Sequence, residues 1–201
     1  MHQIVLPHAL RKARTLGHLI VPAEGSQIAE FAISLPLLMV LIVGIFDFGS
    51  AFTVKLKVSN AALEGARIAS TLPITDLSQA QPASLAAVVG SVDNALFRAN
   101  INDCGLFPVT TWPTPVGLSW TFTASGNGCP GTLTLIIDRG FTYTAGLTPP
   151  FPANYNVEAT KVTIKYPYKW QFNNVIKLIT SSAGYPANSS ITSTAVMQNL
   201  N

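Results

Sequence analysis

Between Phe31 and Val54 the chain carries a single ionisable side chain, Asp47, and no other feature limits its possible folds as strongly. As a helix this run would be about 36 Å long at about 1.5 Å per residue. That is enough to cross a hydrocarbon core of about 30 Å with room to tilt. A removable secretory signal has an apolar region of only about 7–15 residues before small residues at its cleavage site. Gly49-Ser50-Ala51 imitates such a site, but the run is too long for that role and reads as a retained anchor. Composition agrees, since only 10% of the 201 residues are charged and the mean hydropathy is +0.37, well on the apolar side of ordinary soluble domains.

Charge and ligand chemistry exclude several function classes. The net charge of +3 owes much to Arg11, Lys12 and Arg14, which precede the apolar run, so the rest of the chain is nearly neutral. Lys161, Lys165 and Lys169 form a thin row on one segment, not the basic face that nucleic acid requires, and no nucleic-acid partner is expected. His2, His8 and His18 all lie before Gly25, and the cysteines are Cys104 and Cys129. No metal-ligand spacing exists downstream, so neither metal nor cofactor is expected. The G-x-S-x-G setting of a serine nucleophile is also missing. The expectation is a protein that is not an enzyme, with a membrane-tethered hydrolase as a rival reading.

Loop charge leaves the orientation of the anchor undecided, because Arg11, Lys12 and Arg14 on one side face Lys55, Lys57 and Arg67 on the other. The cysteines supply a second argument. Cys104 and Cys129 both fall in the C-terminal part, where an even pair in an exported domain commonly forms a disulfide. Closed, this loop contributes about 3–4 kcal/mol in the chain-entropy model. Two unpaired thiols are the alternative.

Beyond the membrane run, Ala61, Gly65 and Ala69 recur every four residues and make a smooth ridge on one helix face. Small residues at that spacing let a second helix approach closely, or let the helix lie on its own domain. Pro73 lacks a backbone donor and is a natural stop. Leu85, Val88, Val89, Val92 and Leu96 predict an amphipathic helix over Ser84 to Ala99. The period then changes to two. Leu118, Trp120 and Phe122 alternate with Ser119, Thr121 and Thr123, and Thr132 to Ile137 is a β-branched run. Val162 to Trp170 places aromatics on one face and lysines on the other, with Pro167 putting this strand at a sheet edge or marking its end. Val175 to Ile179 reads as a short turn or connection, and Ile191 to Met197 as a closing strand. The fold class is α+β: a long N-terminal transmembrane helix, then a small α+β domain with an antiparallel sheet.

One motif points to a role. Gly25 precedes Ser26, and Glu30 is the fifth residue of a chain that starts at Ser26. An ionisable group this close to an apolar run suits the helix N-terminal dipole and the headgroup region. The spacing also resembles the class III signal of type IV prepilins, in which a prepilin peptidase cuts after Gly on the cytoplasmic side. Across Glu24 to Ser70 the chain is similar to TadE-like proteins, on Glu30-Phe31-Ala32, Leu35-Pro36, Gly44-Ile45, Asp47-Phe48-Gly49 and Ala61 to Arg67. That family usually carries Glu where this chain has Asp47.

The resemblance implies a pilin-like component, a minor pilin or pseudopilin, of the tight-adherence Flp type IVb pilus and secretion system. Its segments would be a leader at 1–25, a transmembrane and extended helix at 26–72, and an extracytoplasmic domain at 73–201. Its N-terminus would be cytoplasmic, and the anchor would sit in the inner membrane with the domain periplasmic or extracellular, in association with the pilus or not. Its partners would be prepilin peptidase, other Tad pilin-like proteins, the pilus assembly platform and membrane lipid. Glu30 would pair with the free amine of a neighbouring subunit, a burial that is costly unless both charges are matched. Pro36, Asp47, Ala61, Gly65 and Ala69 are the candidate helix-packing residues. Pro36 frees the Ala32 carbonyl and predicts a mild kink. Asp47 either reaches the outer headgroups or contacts another helix. The remaining alternative is an unprocessed, membrane-anchored binding domain.

Overall fold

The computed structural model describes residues 23–146, 155–172 and 189–200. The leader before Ala23 and the expected turn at Val175 to Ile179 lie outside them. Chain contacts divide the protein into two units, one ending at Leu41 and one running from Ile42 to Asn201. Helix α1, Ala23–Thr71, contributes to both.

The described part of the first unit is helix. Every residue from Gly25 to Met39 is exposed, large apolar ones such as Ile28, Phe31, Ile33 and Leu37 included. Pro36 sits inside the helix without ending it.

The second unit is built on α1 from Ile42 onward, on α2 (Ala83–Arg98), and on four strands, β1 (Ser119–Ala124), β2 (Leu133–Ala145), β3 (Tyr155–Tyr168) and β4 (Ser189–Gln198). The strands pair antiparallel in the order β1-β2-β3-β4. Registration puts inward side chains in rows across the sheet. Phe122 lies opposite Leu135, Leu135 opposite Ile164, and Trp120 opposite Ile137, which faces Val162. These residues form one core with Leu85, Val88, Val89, Val92 and Leu96 of α2 and Val58, Ala61, Ala62, Ala66 and Ala69 of α1. Truncating one of the large members to Ala costs about 2–5 kcal/mol. The α+β antiparallel architecture expected from the sequence is the one observed.

Element boundaries differ from the expected ones for physical reasons. β2 continues to Ala145 because a bulge between Asp138 and Phe141 re-aims the strand; the polar Asp138-Arg139-Gly140 step hides that continuation from a period-two reading. Leu118, expected in β1, precedes the strand and is exposed. β3 is an interior strand, so Pro167 is not at a sheet edge. It pairs with Ser190 on β4, while the last β2 partner on the other side is at Lys165. The missing N–H therefore falls at the end of one ladder, where it interrupts little.

Two long-range caps close the helices. No basic residue stands in the last turn of α1, yet Arg139, at the β2 bulge and buried, reaches its end. Its Nη1 donates to the Ala69 carbonyl, and Nη2 donates to the carbonyls of Leu72 at 2.7 Å and Pro73 at 3.4 Å. A cation there meets both the orphan carbonyls and the negative end of the helix dipole. Burial pulls the Arg139 pKa down, while nearby Asp76 works to raise it. α2 begins at Pro82, which offers no side-chain cap. Asp76 takes that role from outside, accepting from Ser84 N at 2.8 Å and Ser84 Oγ at 2.7 Å. Burial opposes ionisation of Asp76, but the two bonds from Ser84, a backbone bond of its own and the Arg139 charge outweigh it and hold the carboxyl below its ordinary range.

Cys104 and Cys129 form a disulfide with Cα atoms 5.3 Å apart, within the usual span of such a bridge. The crosslink ties the segment after α2 to the β1–β2 connection, where Gly126 N also donates to the Cys104 carbonyl at 2.7 Å.

Candidate functional site

The residues with a claim to function lie along α1, and the helix treats them in four ways. At its start, Gly25, Ser26 and Glu30 are exposed, and Ser26 Oγ donates to Glu30 Oε1 at 3.3 Å across one turn. A Cβ on Gly25 would meet nothing within 4 Å. Its backbone is also outside the left-handed region, so the fold gives no reason for glycine there, and in a helix glycine costs roughly 0.5–1 kcal/mol relative to alanine. A Cβ would likewise meet nothing within 4 Å at the half-buried Gly44 and the exposed Gly49.

Asp47 is treated differently. It is fully buried, and its carboxylate accepts from the backbone N–H of Gln171 at 3.1 Å and of Phe172 at 3.3 Å. These donors follow the end of β3, where the chain is neither helix nor strand. Phe48, the next residue, packs edge-on against Trp170 with ring centroids 5.5 Å apart, and Trp170 packs edge-on against Tyr168 at 5.2 Å. Trp170 also donates its indole N–H to Ser189 Oγ at 2.7 Å. Asp47 therefore makes its hydrogen bonds inside its own chain, clamping the connection after β3 onto the helix, a partner that neither sequence alternative named.

The small-residue ridge is occupied too. Ala61 and Ala69 are fully buried in the core. A Cβ on Gly65 would lie 2.5 Å from Val92 Cγ2 and 3.5 Å from Val162 Cγ1. Of the two readings open for this ridge, the geometry gives packing on the protein's own α2 and sheet, so these three residues are not a free surface for a second helix.

On the opposite side of α1, Ile45, Phe52, Leu56 and Leu63 remain 64%, 68%, 66% and 51% exposed. Their spacing of seven, four and seven residues places them on one face. An ordinary globular helix shows a polar face to solvent. This one exposes Lys55, Asn60, Glu64 and Arg67 but also keeps an apolar stripe directed away from the core, which is the feature that separates it from a packing element alone.

Away from α1, Asp93 on α2 and Asp103 beside the disulfide face each other. Partial burial and then the Asp103 charge push the Asp93 carboxyl up to about 6. Asp103 is meanwhile held by Asn127 Nδ2 at 3.2 Å and Gly105 N at 3.1 Å. Sequence reading missed this pair, which the turn after α2 brings together without a side-chain pattern to announce it, and Arg139, which joins segments 66 to 70 residues apart. The polar step at Asp138-Arg139-Gly140, inside an otherwise β-branched run, was the one local sign that Arg139 has a task. Among the described residues, no group of three His, Cys, Asp or Glu is arranged to hold a metal.

Comparison with known proteins adds one match. Residues 25–67 fit the family model described as TadE-like protein. No curated protein and no solved structure matches the chain. The match begins at Gly25, takes in Glu30, Asp47 and the ridge through Gly65, and stops before Pro73. The part of the helix that bears Gly25, Glu30, the Asp47 clamp and the outward apolar face is thus the part that matches the TadE-like model.

Proposed function

We propose that the protein is a pilin-like component, a pseudopilin or minor pilin, of a tight-adherence type IVb pilus and secretion system. In this reading prepilin peptidase cuts between Gly25 and Ser26 on the cytoplasmic side of the inner membrane. The mature helix then holds the Cys104–Cys129 domain outside the cytoplasm and packs laterally against other Tad pilin-like helices at the assembly platform. The work is assembly, not catalysis.

The observation that carries the reading is the two-sidedness of α1 above Asp47. Its inner face is filled by its own domain, while Phe52, Leu56 and Leu63 stay exposed on the outer face. A lone anchor has no use for an apolar face beyond the membrane, whereas a helix that packs with its own kind does. Gly25, which the fold itself does not require, supports the cleavage step. Once Ser26 is the first residue, Glu30 stands one turn from a new amine, as pairing with a neighbouring chain would need.

N-terminal sequencing of the protein taken from its own membranes tests this. Ser26 as first residue is the expected result. Met1 as first residue in cells with active prepilin peptidase would leave only an anchored domain.

A further inference from the structure

We propose that the rim formed by Asp47, Phe48, Tyr168, Lys169 and Trp170 rests in the headgroup layer of the bilayer and fixes the outer hydrocarbon boundary at Asp47. The proposal rests on the reading of α1 as a membrane anchor and adds where along it the membrane ends.

Three observations within the second unit converge on that level. First, Asp47 is the first buried residue along α1 after Gly25, although exposed apolar residues continue beyond it at Phe48 and Phe52. Ile45 and Phe46 are 64% and 62% exposed, and Asp47 is fully buried with both carboxylate oxygens on backbone N–H groups. Second, those N–H groups belong to Gln171 and Phe172, in irregular backbone, with the Lys169 and Gln171 side chains exposed beside them. Lipid-facing irregular backbone is not tolerated in hydrocarbon, because its polar groups would lack partners. The hydrocarbon must therefore end before this connection. Third, the rim carries the exposed Phe48 edge-to-face on the half-buried Trp170, which packs in turn edge-to-face on the buried Tyr168. Tryptophan and tyrosine favour the interface, where an apolar ring and a polar atom are both accommodated. Lys169 next to them can extend its ammonium toward lipid phosphates.

The boundary moves the span. A hydrocarbon core of about 30 Å needs about 20 helical residues. Counted back from Phe46, these begin near Gln27 rather than at the Phe31 suggested by charge alone. Glu30 then lies about one turn inside the inner edge, and Phe48 to Val54 lie outside the hydrocarbon.

The test uses the full chain reconstituted in phosphatidylcholine–phosphatidylglycerol vesicles that contain lipids brominated at shallow or deep positions. Flotation with the vesicles first reports whether the chain is anchored. The expected result is a tryptophan component quenched best by the shallow bromines and lost in Trp170→Phe, with Trp112 and Trp120 unaffected. A second label avoids disturbing the aromatic packing: Gln171→Cys carrying a polarity-sensitive dye is expected to report a headgroup environment. A floating chain whose quenching is the same with and without Trp170, or whose dye at position 171 reports bulk water, overturns the boundary and leaves the anchor standing. Quenching that emerges only when protein is diluted in lipid would show a second copy covering Trp170 and also overturn it. Failure to float removes the anchor reading itself.

Discussion

From Gly25 to Met39 every residue of helix α1 is exposed, and from Val58 to Ala69 one of its faces is filled by the core it shares with α2 and the sheet. The two stretches have similar apolar content but different residue sizes. The first offers Ile28, Phe31, Ile33 and Leu37 in several directions, whereas the second puts Ala61, Ala62, Gly65, Ala66 and Ala69 on one side and keeps Leu63, like Phe52 and Leu56 before it, on the other. Side-chain volume, more than hydrophobicity, marks the surface that a folded domain occupies. A sheet and a helix can approach a run of alanines and a glycine closely, and dispersion contacts accumulate there. Large apolar side chains left outside by the same helix await a different solvent or partner.

Substitutions that cross this division should be felt unequally, and chemical denaturation of the full chain in detergent micelles measures each. The largest effect is expected at the cap that ends the packed stretch. Arg139→Ala removes the charged donor at the carbonyls of Ala69, Leu72 and Pro73 and should cost about 3–4 kcal/mol, as removing one member of a buried charged network does. Gly65→Val drives new carbons into Val92 and should cost about 2–3 kcal/mol by overpacking. Asp47→Ala removes the acceptor of two backbone donors and should cost about 2 kcal/mol. It should also loosen the connection after β3, seen as faster amide exchange at Gln171 and Phe172.

A smaller effect depends on pH. The Asp93 carboxyl lies at about 6 in the folded chain, above its ordinary 3.8. The folded state therefore binds this proton more tightly than the unfolded state does. The stability it contributes is full below about 4 and is lost as pH rises through about 6. Asp93→Asn should flatten that slope and raise stability at neutral pH by about 1 kcal/mol, a figure reduced for the partial exposure of the group. The smallest effect is expected on the outer face, where Leu56→Ser should change domain stability by less than about 0.5 kcal/mol. A large loss there would break the contrast between the two faces.

What the sequence made legible follows from how far each interaction reaches along the chain. The membrane-length run, the 3.6-residue period of α2 and the two-residue period of the strands are local patterns, and each led to an element that is present. The disulfide could be anticipated because only two cysteines are available. Asp47 could not be placed, because its donors stand 124 and 125 residues away and are backbone groups, which no side-chain pattern announces. Arg139 was hidden for the same reason, acting 66 to 70 residues from its acceptors. The ridge at Ala61, Gly65 and Ala69 was recognised as a packing surface, but spacing alone does not say whose helix fills it.

In the function proposed above, the outer face of α1 is reserved for other pilin-like chains. The most direct test of this is a photo-crosslinking amino acid placed at Phe52 in the protein in its own membranes, with Arg98 on α2 as the comparison site. The expected result is adducts with a second pilin-like chain from position 52 and none from position 98. Adducts from neither position, or equally from both, would contradict it.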